Sequence, residues 1–197
     1  MLKRNECSCK KCQLFCKVMP SYLLPEDMIP YMEATGFEPP SMTENFEAGD
    51  MVTMTLEEIM PWAVNNLSAS DGAIVRTNDG NMMQIPTLVP KSRKNGSCVQ
   101  FNQKTGMCRV HHSAPFGCRF FSCSMDAGDA SELSNSSVSR LAYIWSKFPD
   151  DTDDLNMIEG MYAAVWLELS RTRHKRKRTT VALRKLFAER LRKIENE

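Results

Sequence analysis

Apolar residues recur along this chain at two spacings, and the change of spacing marks the change of element. Ile59, Trp62, Ala63 and Leu67 fall three or four apart, which predicts one buried helical stripe. Thr55 with Glu58 makes a capping box, so that helix is expected to start at Thr55. Val138, Leu141, Ala142 and Trp145 repeat the helical spacing, and Phe148-Pro149 ends the run. A longer helix is expected from a cap at Asp153 or Asp154 through Leu169. Leu183, Leu186, Phe187 and Leu191 predict another over Val181 to Ile194. Near the N-terminus, LPEDMIPYMEATG predicts a short helix. Pro25 suits its first turn, Glu26 and Asp27 complement its dipole, Pro30 is placed to kink it and Gly36 ends it. It is expected to act as a lid without chemistry of its own.

The other spacing is short and strand-like. Asp71-Gly72 reads as a turn, Ala73 to Thr77 as a strand and Asn78-Asp79-Gly80-Asn81 as a reversal. Met82 to Val89 reads as the return strand, interrupted by Pro86. Val99 to Phe101 and Met107 to Val110 are expected to pair as a ribbon around the Asn102–Gly106 turn. Residues 37–52, with Pro39, Pro40 and Gly49, read as loop, as does the stretch from Ser113 to Cys123. The fold class that follows is α+β: a small, irregular, cysteine-rich metal-binding core with a short β-hairpin and ribbon, followed by C-terminal helices. The expected division is residues 1–125 for the cysteine-cluster domain and 126–197 for the helical region.

Cysteine placement supplies the chemistry. All eight lie in two groups: Cys7, Cys9, Cys12 and Cys16, then Cys98, Cys108, Cys118 and Cys123. Scattered core cysteines would not segregate this way, and four thiolates complete one tetrahedral shell. Thiolates take zinc, iron or an iron–sulfur cluster and disfavour magnesium and calcium. The eight make either two separate four-cysteine sites or interleaved sites drawing on both groups, and spacing does not choose between them. Cys9, Cys12 and Cys16 would share one face of a helical turn. Arg109 and Arg119 each follow a cysteine, where a guanidinium offsets thiolate charge or is simply solvated. His111 and His112 stand close by; His111 is expected to pack beside the ribbon rather than ligate.

Charge alters this picture only at the C-terminal end. The net charge of +1 hides 11 Lys and Arg against 3 Asp and Glu in residues 171–197, so an acidic body carries a basic tail. Its densest run, Arg171 to Arg178, fits nucleic acid through phosphate contacts. No aromatic residue interleaves it for stacking, so a solvated linker is the preferred reading. The opening MLKRNECSCK lacks a leader's apolar core, and Ile158 to Leu169 is too short and too interrupted by Glu159 and Glu168 to span a bilayer. A cytoplasmic, reducing setting without membrane contact is expected, which keeps thiols available for metal rather than disulfides.

The run Cys108-Arg109-Val110-His111, followed by Pro115-Phe116-Gly117-Cys118-Arg119-Phe120-Phe121-Ser122-Cys123, resembles the signature of the YkgJ-like cysteine-cluster family. That family is described as a zinc- or iron-chelating domain of the CxxCxxCC type. Ala114 stands where the pattern usually has Arg, and the first group lacks the adjacent cysteine pair, so the chain resembles a longer variant. The resemblance covers residues 7–125 and implies a cofactor class, zinc or iron, without implying a reaction. No nucleophile elbow, phosphate loop or dinucleotide fingerprint is present, and Glu57-Glu58, Asp150-Asp151 and Asp153-Asp154 read as helix caps. The expected function is metal binding by a cysteine cluster, with catalysis undecided. The alternatives are an iron–sulfur redox or transferase enzyme, and a zinc-stabilised nucleic-acid adaptor using the basic tail.

Overall fold

A computed structural model describes residues 16–17, 20–37, 48–76, 80, 82–120 and 127–173. The stripe predicted around Trp62 is buried as expected: Ile59, Trp62, Ala63 and Leu67 all lie in the core. The first three belong to a helix, whereas Leu67 opens a strand. The short N-terminal helix is also present, as a 3-10 turn at Pro25–Asp27 running into α1 (Met28–Ala34). Gly36, at φ 78°, takes the left-handed conformation that ends it. Its inner face belongs to the core through Met28, Tyr31 and Met32, with Leu23 and Leu24 buried just before it.

Helix α2 (Ala48–Asn66) starts upstream of the expected Thr55. A capping pair acts only where backbone N–H groups lack a helical partner, and here the preceding turn is itself helical. Strand β1 (Leu67–Arg76) follows directly and pairs antiparallel with β2 (Met82–Pro90), from Leu67↔Pro90 to Arg76↔Met82. Asp71-Gly72 is therefore not a turn but a bulge, marked by the register shift between Ser70 and Ala73. Both flanks pair with the same strand, so the chain cannot reverse there. Gly72 sits at φ 124°, and a Cβ on it would lie 1.6 Å from Ile85 O. Pro86 falls opposite the bulge, where its missing N–H leaves no ladder bond unmade, so β2 runs on without interruption. The carbonyls exposed by the irregularity find indole donors instead. Trp166 Nε1 donates to Ser70 O and Trp145 Nε1 to Pro86 O, both at 2.9 Å, with the two rings edge-on at 5.0 Å.

The ribbon is shorter than expected: β3 (Phe101–Asn102) pairs with β4 (Met107–Cys108). Within the stretch expected as loop, Phe116–Phe120 forms a short helix, α3. Helix α4 (Ala127–Lys147) ends just before Phe148-Pro149, as predicted. Helix α5 (Met157–Arg173) is capped by Asn156 rather than by Asp153 or Asp154. Asn156 Oδ1 accepts from Glu159 N at 3.0 Å, and Glu159 Oε2 accepts from Asn156 N at 3.1 Å, while Thr152–Asp154 form a separate 3-10 turn. Met161 to Trp166 are buried without a break, as in a helix enclosed on every side. Residues from both sides of the expected boundary at 125 share this core, among them Leu23, Ile59, Leu88, Leu141 and Val165. Tyr162 ties them together. Its hydroxyl accepts from Leu88 N (2.8 Å) and donates to Leu23 O (2.9 Å), beside the Leu23 N to Leu88 O bond.

The architecture is thus α+β, with two small antiparallel sheets and helices that include the C-terminal ones. Among the described residues no helix is long and apolar enough to cross a membrane. Arg171–Arg173 belong to α5, while the rest of the basic run and the helix expected over Val181 to Ile194 lie outside the described residues.

Candidate functional site

Four of the eight candidate cysteines, Cys16, Cys98, Cys108 and Cys118, fall within the described residues and form no disulfide. Cys7, Cys9, Cys12 and Cys123 lie outside them. The four described thiols come from both sequence groups and converge on one region. Cys98 lies within electrostatic reach of Cys108 and Cys16, and Cys118 within reach of Cys98, Cys16 and Cys108.

Each is placed by a different device. Cys98, in the core, sits at the exit of a tight loop after β2, where Gly96 at φ 85° lets the chain reverse. Arg93 N donates to Ser97 O at 2.7 Å, and Asn95 Oδ1 accepts from Ser97 N at 3.1 Å. The Arg93 guanidinium then binds the carbonyls of Cys98, Val99 and Phe101 together, the last two at 2.6 and 3.1 Å. One planar fork thereby fixes the loop on both sides of the cysteine. Cys108 stands in β4 directly opposite Phe101, so the ribbon sets it against the Cys98 loop. Cys16 is helical and arrives from the N-terminal group; its carbonyl accepts from Cys98 N at 2.8 Å. Next to it, Lys17 Nζ lies 5.8 Å from the Phe101 ring centroid.

Cys118 owes its place to a contact across 89 residues. The buried Asp27 carboxylate accepts from Leu24 N (2.9 Å) and Phe116 N (2.6 Å), capping α3 from outside. That long-range cap is why a stretch read locally as loop is helical. Gly117 lies against the Ser21–Tyr22 backbone and donates to Tyr22 O at 3.0 Å. The same segment turns the Ser21 N–H toward the Cys118 sulfur.

Backbone donors meet both inner sulfurs. Gln100 N lies 3.4 Å from Cys98 Sγ, with the Phe101 N–H alongside. Burial pushes the Cys98 thiol up to about 11 and the Cys118 thiol up to about 12, while these N–H groups and neighbouring thiols act as smaller influences. The environment therefore resists bare thiolate charge yet offers hydrogen bonds that suit it. A soft cation would offset thiolate charge in such a setting. Among the described residues, however, no three or more His, Cys, Asp or Glu side chains are spaced to hold a metal ion outright.

No family model matches the chain, and no curated protein or solved structure matches it.

Around the thiols, the charged and ring-bearing neighbours differ from those the sequence suggested. Arg109 is exposed and contributes its backbone N–H to Gln100 O at 2.9 Å, and the Arg119 side chain lies outside the described residues. His111 is half-buried and packs edge-on against the exposed His112 at 5.6 Å. Arg93, Asp27 and Tyr31 were not singled out for the site by sequence reasoning. Only Arg93 carried a signal, as a cation five residues before Cys98 in a loop with its own turn residues. Tyr31 is fully buried and within electrostatic reach of Cys98, Cys118 and Cys108; burial, then these thiols, raise its hydroxyl pKa well above the ordinary range.

Proposed function

We propose that this chain is a metal-binding cysteine-cluster protein of the YkgJ-like kind, taking zinc or iron, the iron as an ion or within an iron–sulfur cluster. Its sites interleave the two sequence groups: Cys16 joins Cys98, Cys108 and Cys118 as ligands, and Cys7, Cys9, Cys12 and Cys123 supply the remaining ones. The supporting observation is that Cys16 lies within electrostatic reach of Cys98 and Cys118, 82 or more residues along the chain, and bonds through its carbonyl to Cys98 N, with backbone N–H groups facing the Cys98 and Cys118 sulfurs. Core packing alone gives no reason to gather thiols from two distant segments. These cysteines would hold the ion as thiolates, and the ion would supply the positive charge that balances them. Reduced thiols suit a cytoplasmic setting.

The test is metal analysis of protein purified without oxygen, before and after Cys98→Ser and Cys118→Ser. Bound zinc or iron in the parent and its loss in both variants is expected. A parent free of transition metal that also fails to take up added zinc or iron refutes the proposal, as do variants that keep the parent's metal content.

A further inference from the structure

Acidic residues occur along most of this chain and then stop. From Gly80 to Met125 there is no Asp or Glu, although the 197 residues hold 24 of them. The same segment carries six basic residues: Lys91, Arg93, Lys94, Lys104, Arg109 and Arg119. The fold gathers part of it into two neighbouring loops. In the first, Gly96 N donates to Arg93 O at 2.9 Å, which leaves Lys94 and Asn95 at the tip. In the second, Gly106 N donates to Asn102 O at 2.8 Å and Lys104 N to Asn102 Oδ1 at 3.0 Å, which leaves Gln103, Lys104 and Thr105 at the tip. All of these tip residues are exposed. The loops brace each other. The Arg93 guanidinium of the first donates to Phe101 O, at the entry of the second, at 3.1 Å, and Gln103 Nε2 lies 3.5 Å from Ser97 Oγ, at the exit of the first. The exposed Lys17 reaches the same place, with its Nζ over the Phe101 ring.

Arg93 is committed to backbone carbonyls and Lys91 Nζ to Val64 O, so these two hold the loops. Lys94 and Lys104 enter no ion pair among the described residues. Around them stand exposed Asn, Gln and Thr side chains and no carboxylate of the same segment, the mixture that contacts phosphodiester oxygens. Within residues 91–110 the only exposed large apolar side chain is Met107, and no aromatic is exposed. The loops thus have little to insert into lipid and no ring on which unpaired bases could stack. A duplex, whose bases are covered and whose phosphates face outward, fits them best. We propose that the paired loops bind the phosphate backbone of a nucleic-acid duplex without regard to base sequence, with Lys94 and Lys104 as the phosphate contacts and Lys17 beside them. This contact is independent of the metal-binding reading, and it lies on the folded core, apart in sequence from the Arg171–Arg178 run.

The test titrates the full chain, purified without oxygen, into a labelled mixed-sequence DNA duplex of about 20 base pairs at about 50 and 200 mM salt, read by fluorescence anisotropy. The parent is compared with a variant carrying Lys94→Gln and Lys104→Gln. The same pair of changes is also made in a chain whose Lys and Arg at 171–178 are all replaced by Gln, which separates the loops from the basic run. In both backgrounds the loop changes are expected to weaken binding about tenfold and to lower the slope of log affinity against log salt by about 2. Both side chains are exposed at loop tips, so the melting temperature should stay at the parent value. A parent that binds no duplex at the lower salt overturns the proposal. So do loop variants that bind as tightly as their parents. Capture by phosphatidylserine vesicles in preference to the duplex overturns it as well, since the partner would then be a lipid headgroup.

Discussion

Gly117 joins the fold to the thiol centre, and replacing it with alanine tests that joint. Gly117 is not in the left-handed region, so alanine is compatible with its backbone. In open space the change would stabilise a helix by about 0.5–1 kcal/mol. Here the added Cβ would lie 2.2 Å from Ser21 Oγ and 2.8 Å from Tyr22 N. The hydroxyl can rotate away; the backbone nitrogen cannot. Ordinary contact starts at 3.4 Å, so α3 and the Ser21–Tyr22 segment must part by 3.4 − 2.8 = 0.6 Å. The Gly117 N to Tyr22 O bond, now 3.0 Å, would stretch out of hydrogen-bond range. Losing that bond costs about 1 kcal/mol, and forcing a methyl into a packed contact costs about 1–3 kcal/mol. After the alanine gain, a net loss of about 1–3 kcal/mol remains. Urea unfolding measures it directly, and the melting temperature should fall by about 2–4 °C per kcal/mol. If the proposed metal binding holds, metal affinity should fall too, because Cys118 follows Gly117 and its sulfur faces the displaced Ser21 N–H. A variant as stable as the parent, or more stable, would falsify this close approach.

The remaining expectations use the same assays. Gly160→Ala, inside α5 with nothing within 4 Å of the new methyl, should raise stability by about 0.5–1 kcal/mol; a loss in urea unfolding would show that the site is crowded. Tyr162→Phe should cost about 2–4 kcal/mol, since it removes two buried hydrogen bonds and strands the Leu88 N–H; a cost below 1 kcal/mol would mean that another group replaces the hydroxyl. Burial, with the Asp27 carboxylate as the lesser cause, pushes the Tyr22 hydroxyl from 10.0 up to about 12. Between those values the folded protein keeps a proton that the unfolded chain has released, so stability should fall as pH rises through that window. Tyr22→Phe should flatten the fall, and an unchanged slope would remove Tyr22 as its source.

Local patterning was enough to locate much of this fold. The stripe through Ile59 and Trp62, the helix ending before Phe148-Pro149 and the ribbon around Asn102–Gly106 all follow from neighbours a few residues apart. The sequence also singled out the cysteines of the candidate site, through their segregation into two groups. It misplaced elements whose geometry is decided from far away. Asp71-Gly72 carries turn chemistry but lies in a bulge, because Leu67–Ser70 and Ala73–Arg76 pair with the same strand. Phe116–Phe120 reads as loop until Asp27 supplies its cap. Tyr31 looks like any core aromatic on an amphipathic turn, and only the tertiary structure brings Cys98, Cys108 and Cys118 within its electrostatic reach. Spacing along a chain encodes which side chains share a face. Which backbone groups and thiols meet across 80 or 90 residues is set by packing of the whole core, so it could be read only from the tertiary structure.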